Sequence, residues 1–445
     1  MRIGHLSQRT AARWLNWQRL SRRVAIDVTP LRESRDYRLL FTGRCVSTAG
    51  SQIATTAASW QVYGLTHSSL DVGLLALVSG AGQFTGFLTG GMLADRHDRR
   101  QVVLATTVPL VAVATLLMVN SLLSHPLLWA VYVLVLGTGL LAGLGSPATT
   151  AAVPAVVGAA RMPAAAALNA MGGQVGSLGG PALAGLLIAG PGLAACYGLD
   201  TACLIVFGVT LWFVRPLPPV VKGARPGFRS IAEGFRYVTK NSVVGGMLAV
   251  DTSAMIFGMP SALFPAIARM HFHGGSATFG LLTAAPGLGA LIGAATSGWT
   301  GRVRRPGVVV IFAGLAWGAA IVLFGLSDNL ALGLVFLALA GMADLFSEVL
   351  RNALLQRYTP DELRGRVSGL YLAQVTSAPA LGNVEAGLIA QLFSTTISVV
   401  SGGLICVAGA LVLGAVNPAL RRAKLTGPGA GPAGSAVPRS VQESP

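Results

Sequence analysis

Asp251 and Asp344 lie deep inside two long apolar runs of this 445-residue chain. A charge in hydrocarbon costs at least ~2.5–3.5 kcal/mol on insertion scales, so each one needs a partner or a task. A carboxylate in such a place can be neutralised by a proton or by an arginine, and one that alternates between the two states can carry protons. At ~1.5 Å per residue, Asp251 stands about 12 Å from the start of its run, too deep to reach water except through a cavity. Asp344 stands about 21 Å from the other end of its own run, at a similar depth. Glu348 and Arg351 follow Asp344 at i+4 and i+7 on the same helical face, and a pair between them near the interface is the plainer reading of those two. Arg44, about 8 Å into the first run, either snorkels to the surface or lines a cavity. Glu385 falls toward the opposite side, where it could line an open vestibule. Asp251 and Asp344 are therefore the leading candidates for proton exchange, followed by Glu348, Arg44 and Glu385.

The elements that must hold these residues are membrane helices. The chain is 53% hydrophobic and only 11% charged, with 57 glycines, too little charge to cover a soluble surface. Apolar runs fall near 39–64, 71–94, 101–121, 127–153, 165–189, 193–214, 243–268, 277–300, 307–326, 330–353, 367–393 and 397–417. Each is long enough for a span of about 20 residues, so the expected fold is an all-α membrane protein of twelve transmembrane helices. All 32 Lys and Arg except Arg44, Arg269 and Arg351 fall on one side of these spans. The positive-inside rule then makes both termini cytoplasmic. The same distribution accounts for the net charge of +16 without a nucleic-acid partner.

The expected boundaries are a basic tail over 1–36, a six-helix half over 37–214, a linker over 215–242, a second half over 243–417 and a disordered tail over 418–445. No signal-peptide pattern opens the chain. In the first tail, Trp14 and Trp17 among arginines suit either a short helix on anionic headgroups or a disordered basic segment. Cys45, Cys196, Cys203 and Cys406 fit no metal spacing and no disulfide framework, and read as small packing residues.

An internal repeat divides the chain. Ser69, Gly73, Leu74, Leu75, Gly80, Gly82, Gly86, Thr89 and Gly91 recur as Ser276, Gly280, Leu281, Leu282, Gly287, Gly289, Gly293, Thr296 and Gly298, all at one offset. Span 2 thus matches span 8, the pattern of two duplicated halves about an axis normal to the membrane.

Between spans 2 and 3 runs Gly91-Met92-Leu93-Ala94-Asp95-Arg96-His97-Asp98-Arg99-Arg100. This stretch resembles the signature loop of the major facilitator superfamily. The resemblance implies that Asp95 latches the cytoplasmic side in one conformation by meeting the positive N-terminal end of span 11, with Arg99 and Arg100 as its cationic partners and Gly91 and Arg96 completing the loop. Asp98 departs from the family pattern, and the second copy, Gly298 to Arg305, keeps arginines but lacks the acid. In span 5, Gly172, Gly176 and Gly180 stand four apart, followed by Pro181 and Gly185. They resemble the glycine–proline motif of the superfamily's antiporters, with tight helix packing as the alternative.

From Tyr37 to about Pro418 the chain is similar to the enterobactin-exporter branch, through Trp60-Gln61-Val62-Tyr63, Ala262-Leu263-Phe264-Pro265-Ala266 and the stretch Thr359 to Val367. The last two strings also occur in neighbouring drug and macrolide exporters. The resemblance implies a multi-pass protein of the cell (inner) membrane that exports a small organic molecule by proton-coupled alternating access. The cargo would be a siderophore, or alternatively a drug or macrolide. Gln52, Gln83, Gln174 and Gln374 are the candidate cargo contacts in a cavity lined by spans 1, 2, 4, 5, 7, 8, 10 and 11. Family drug antiporters often carry an arginine in helix 4, which is missing here. The partners expected are cargo, protons and lipid. A monomer without metal or cofactor is expected, and no His/Cys/Ser cluster suggests an enzyme or receptor.

Overall fold

The computed structural model describes residues 27–218 and 228–425, and every regular element in them is a helix. Trp14 and Trp17, Lys222 and Arg225 of the linker, and the tail from 426 onward lie outside the described residues. The long helices are α1 (Arg35–Thr66), α2 (Ser69–Arg96), α3 (Arg99–Leu122), α4 (Leu128–Val157), α5 (Met162–Ala189), α6 (Leu193–Trp212), α7 (Phe228–Lys240), α8 (Ser242–Phe257), α9 (Ser276–Thr296), α10 (Pro306–Gly325), α11 (Leu330–Tyr358), α12 (Asp361–Leu392) and α13 (Thr395–Val416). A further short helix, Pro418–Arg422, opens the stretch assigned to the C-terminal tail, with Leu420 buried.

Helix starts follow local chemistry. Ser34, Ser68, Asp98, Asn241, Asn329 and Ser394 each accept hydrogen bonds from backbone N–H groups of the first turn that follows. Those donors have no partner within the helix, so a side-chain oxygen is favoured at each start.

Among the described residues, nine helical stretches are long and apolar enough to cross a membrane. They are α2, α3, α4, α6, α10, α11, α13, the stretch from α8 on to His271 and the stretch from α9 on to Arg302. The remaining helices of the series, α1, α5, α7 and α12, are not among the nine.

The run 243–268 is not one helix. After α8 the backbone breaks at Gly258, Met259 and Pro260 and resumes as a 3-10 turn, Ser261–Leu263, which leads through a short α-helical turn into a π-helical turn, Ile267–His271. Pro260 has no N–H to continue the ladder. The Gly258 carbonyl accepts a hydrogen bond from Trp317 Nε1 at 2.8 Å.

The repeated glycines do repeated jobs. On α2, Gly73 and Gly80 abut α12 at Asn383 and Ala380, while Gly82 and Gly86 abut the α4 backbone at Leu136 and Leu140. On α9, Gly280 and Gly287 abut α5 at Gly185 and Leu178, while Gly289 and Gly293 abut α11 at Ala338 and Met342. One face of each copy therefore joins the N-terminal helices to the C-terminal ones, and the other packs within its own set. A side chain at Gly73 or Gly289 would strike a backbone carbonyl, so only glycine permits the approach.

Candidate functional site

Asp344, Ser347 and Arg351 share one face of α11 by their i, i+3, i+7 spacing, and that face turns toward α8 and α12. The Arg351 guanidinium forms ion pairs with Asp251 on α8 and, at 3.4 Å, with Asp344. It donates to Ser347 Oγ at 3.0 Å. Gln374 of α12 donates from Nε2 to Asp251 Oδ2 at 3.0 Å and to the Leu248 carbonyl at 3.2 Å. Five fixed N–H donors let one guanidinium serve several acceptors at once. Asp251 is 1% exposed and Arg351 3%, whereas the Asp344 side chain keeps 44% of its surface open. Two carboxylates facing one arginine leave one negative charge over, which a proton or a hydrogen-bond donor from outside the cluster can balance.

The spacing of Glu348 and Arg351 predicts a pair between them. The structure instead gives Arg351 to the two aspartates and leaves Glu348 on the exposed side of α11, one turn from Asp344. A cavity of about 240 Å³ opens beside the cluster, walled by Met255, Met259, Trp317, Val375 and Pro379 and closed at one end by the charged groups.

The other candidates are not gathered there. Gln83 lines a separate space of about 100 Å³ with Phe84, Phe87, Ser146 and Thr376. Gln52 packs on Gly180, and Gln174 Oε1 accepts from Ser177 Oγ at 3.2 Å. Arg44 and Glu385 are partly buried on α1 and α12, and neither side chain forms a hydrogen bond or ion pair with another described residue. Gly176 and Gly180 pack against α1 at Thr48 and Gln52, while Pro181 and Gly185 pack against Gly280 of α9.

In the signature loop the arginines turn away from the acid. Arg99 Nη1 donates to the Ala151 carbonyl at 3.0 Å. Arg100 Nη2 donates to the Trp212 carbonyl at 2.6 Å, with the guanidinium 5.6 Å from the Trp212 ring centroid. Asp98, the departure from the family pattern, caps α3 through Arg100 N at 2.8 Å and Gln101 N at 3.3 Å. Asp95 and Arg96 stand exposed, and the Asp95 carboxylate has no hydrogen-bond or ion-pair partner among the described residues. Space is open around Gly91 and Gly298 in the two copies, and around Gly365 and Gly369 in α12.

The opposite end of the bundle is shut. Trp60 of α1 stacks on Phe279 of α9 with ring centroids 5.3 Å apart. The Arg269 guanidinium lies 4.4 Å from the Trp60 centroid and 5.7 Å from that of Tyr63. Asn383 Oδ1 accepts from Ser261 Oγ at 2.7 Å and from Ala262 N at 2.8 Å, tying α12 to the turn after α8. The N- and C-terminal helices therefore meet at this end, whereas Gly91, Gly298, Gly365 and Gly369, toward the other end, face open space.

Four of these residues were missed or left without a role in the sequence. Asn383 and Trp317 gave no sequence signal, because their partners are set by the break after α8. Arg269 was noted only as the basic residue on the sparse side. Asp200 of α6, 5% exposed and packed against Gly50 of α1, could have been found by the same search for charges inside apolar runs.

A model of transmembrane secretion effectors matches residues 26–425. The enterobactin exporter EntS of Shigella boydii is 33% identical over 404 residues, which is 91% of this chain and 97% of that protein. A POT family transporter in complex with 5-aminolevulinic acid superposes with a TM-score of 0.70 at 14% identity, covering 87% of this chain and 97% of its own. A D-xylose–proton symporter superposes with a TM-score of 0.66 at 13% identity, covering 86% and 99%. At such identities the two structures speak for the fold alone. With its all-helical bundle, its repeated glycine faces and its signature loop, the chain belongs to the transmembrane secretion effector family of the major facilitator superfamily and is a multi-pass protein of the cell membrane.

Proposed function

We propose that this protein is a secondary active exporter of a siderophore of the enterobactin type, working by proton-coupled alternating access. The observation that carries the reading is the 33% identity to an enterobactin exporter along nearly the full length of both chains. In this reading α1, α5 and α12 also cross the bilayer, giving twelve spans in two six-helix halves with both termini cytoplasmic. The end with the signature loop, where Gly91, Gly298, Gly365 and Gly369 face open space, is then the cytoplasmic entrance. The shut end at Trp60, Phe279 and Arg269 is the outer gate.

Asp251, Asp344 and Arg351 supply the coupling. With one arginine between two carboxylates, taking up or losing a proton changes which aspartate holds the guanidinium, and so the packing of α8 on α11. Asp95 latches the entrance when the two halves rock closed there. The protein acts as a monomer on small-molecule cargo and protons and makes no covalent bond to its cargo.

Everted membrane vesicles containing the chain test this directly. They should accumulate enterobactin under an inward-acid gradient and stop when an uncoupler is added. Vesicles that move a macrolide or a dye but no siderophore would replace the cargo with a drug, and vesicles indifferent to the gradient would remove the coupling.

A further inference from the structure

We propose that the cavity beside Asp344 is a subsite for one aromatic ring bearing hydroxyl groups, held through its O–H donors on Asp344 and through apolar contact with Trp317, Met255 and Met259. The inference names a subsite of the exporter proposed above and rests on that reading.

Volume sets the first limit. A cavity of about 150 Å³ lined by apolar side chains is enough for benzene. The space here is about 240 Å³, room for one substituted ring and not for a large polycyclic body. Its walls favour a ring over an aliphatic chain. An indole offers offset or edge contact to another ring, and methionine sulfur packs well at ring edges.

The polar end decides what the ring must carry. Arg351 engages Asp251, Ser347 and Asp344 through Nη1 and Nη2, and its remaining Nε–H, without a partner among the described residues, is itself buried away from the cavity. The accessible capacity is an acceptor. Asp344 is 44% exposed and meets Arg351 only through Oδ1, so its Oδ2 has no partner among the described residues. A second cation on Asp344 would face the Arg351 charge at short range, and an anion would face Asp344, Asp251 and Glu348 together. A neutral O–H donor meets neither repulsion. Hydrogen bonds to a charged acceptor are the stronger kind, so they can select hydroxylated rings over bare ones.

The test uses the purified full chain in lipid nanodiscs, with binding followed by calorimetric titration and saturation-transfer NMR. The probes are catechol, its dimethyl ether and benzylamine. Catechol should bind, and the ether and the amine should bind about tenfold more weakly or worse. Val375→Phe, which fills the cavity from α12, should abolish catechol binding, and Ala254→Leu gives a second filling variant should the first not fold. Asp344→Asn should level the difference between catechol and its ether. Equal binding of the ether, or catechol binding unchanged in a folded filling variant, overturns the subsite. Enterobactin export by parental vesicles is measured alongside. Export without selective ring binding sinks the subsite alone, whereas selective ring binding without export supports the subsite and sinks the exporter.

Discussion

Arg351 on α11 and Asp251 on α8 form an ion pair that is almost wholly buried, at 3% and 1% exposure, and the same guanidinium also reaches Asp344. No other cation is ion-paired with either aspartate among the described residues. Removing one member of a buried pair leaves an uncompensated charge and costs roughly 3–5 kcal/mol, whereas removing both is often tolerated. Arg351→Leu should therefore lower the unfolding temperature in detergent sharply, and the double variant Arg351→Leu/Asp251→Leu should recover much of the loss. If the double variant is no more stable than the single one, the pair does not act as a unit.

The two aspartates should separate by function. Asp251→Asn and Asp344→Asn keep size and polarity but cannot titrate. Gradient-driven export should fall at least tenfold in either variant, while exchange of cargo down its own gradient survives. Parental export rates that still collapse with an uncoupler, seen in both variants, would point to Arg44 and Glu385, which have no hydrogen-bond or ion-pair partner among the described residues.

What the sequence made legible was largely local or periodic. The apolar runs opening at 243 and 330 fall within a residue of the helix starts at Ser242 and Leu330, where Asn241 and Asn329 cap the first turn. The glycine repeat was readable too, because close helix approach imposes the same residue at the same spacing twice. The partner of Arg351 was not legible. Glu348 stands three residues away along the chain, and only the packing of α8 on α11 brings Asp251 nearer. The break after α8 was visible as Gly258 and Pro260, but membrane helices tolerate both, so it took Trp317 and Asn383, from α10 and α12, to show that the helix stops there.

Asp95 should matter in one conformation only. In this state it is exposed and without a partner among the described residues, so its loss removes no contact seen here. Asp95→Asn should unfold at the parental temperature and bind cargo normally, yet turn over several-fold more slowly, because the charge–dipole contact that holds the entrance closed is weakened. Parental turnover at equal expression would remove Asp95 from the mechanism.

Arg269 should act in the opposite direction. Its guanidinium lies over Trp60 and Tyr63, joining the C-terminal helices to α1 at the shut end, and this contact exists only while that end is closed. A cation–π contact contributes about 0.5–2 kcal/mol, so Arg269→Gln should shift the balance toward the outward-open state by roughly 2- to 30-fold. Spin labels at Ser68 and His273, read by pulsed dipolar spectroscopy, should show a longer-distance population growing in the variant. Asp95→Asn should shrink the same population, because it frees the entrance instead of the outer gate. The two changes act on opposite ends of one rocking equilibrium, so the double variant should return the distance distribution toward the parental one. If Arg269→Gln leaves that distribution unchanged, the Trp60–Phe279 stack and the Asn383 contacts hold the outer gate without the arginine.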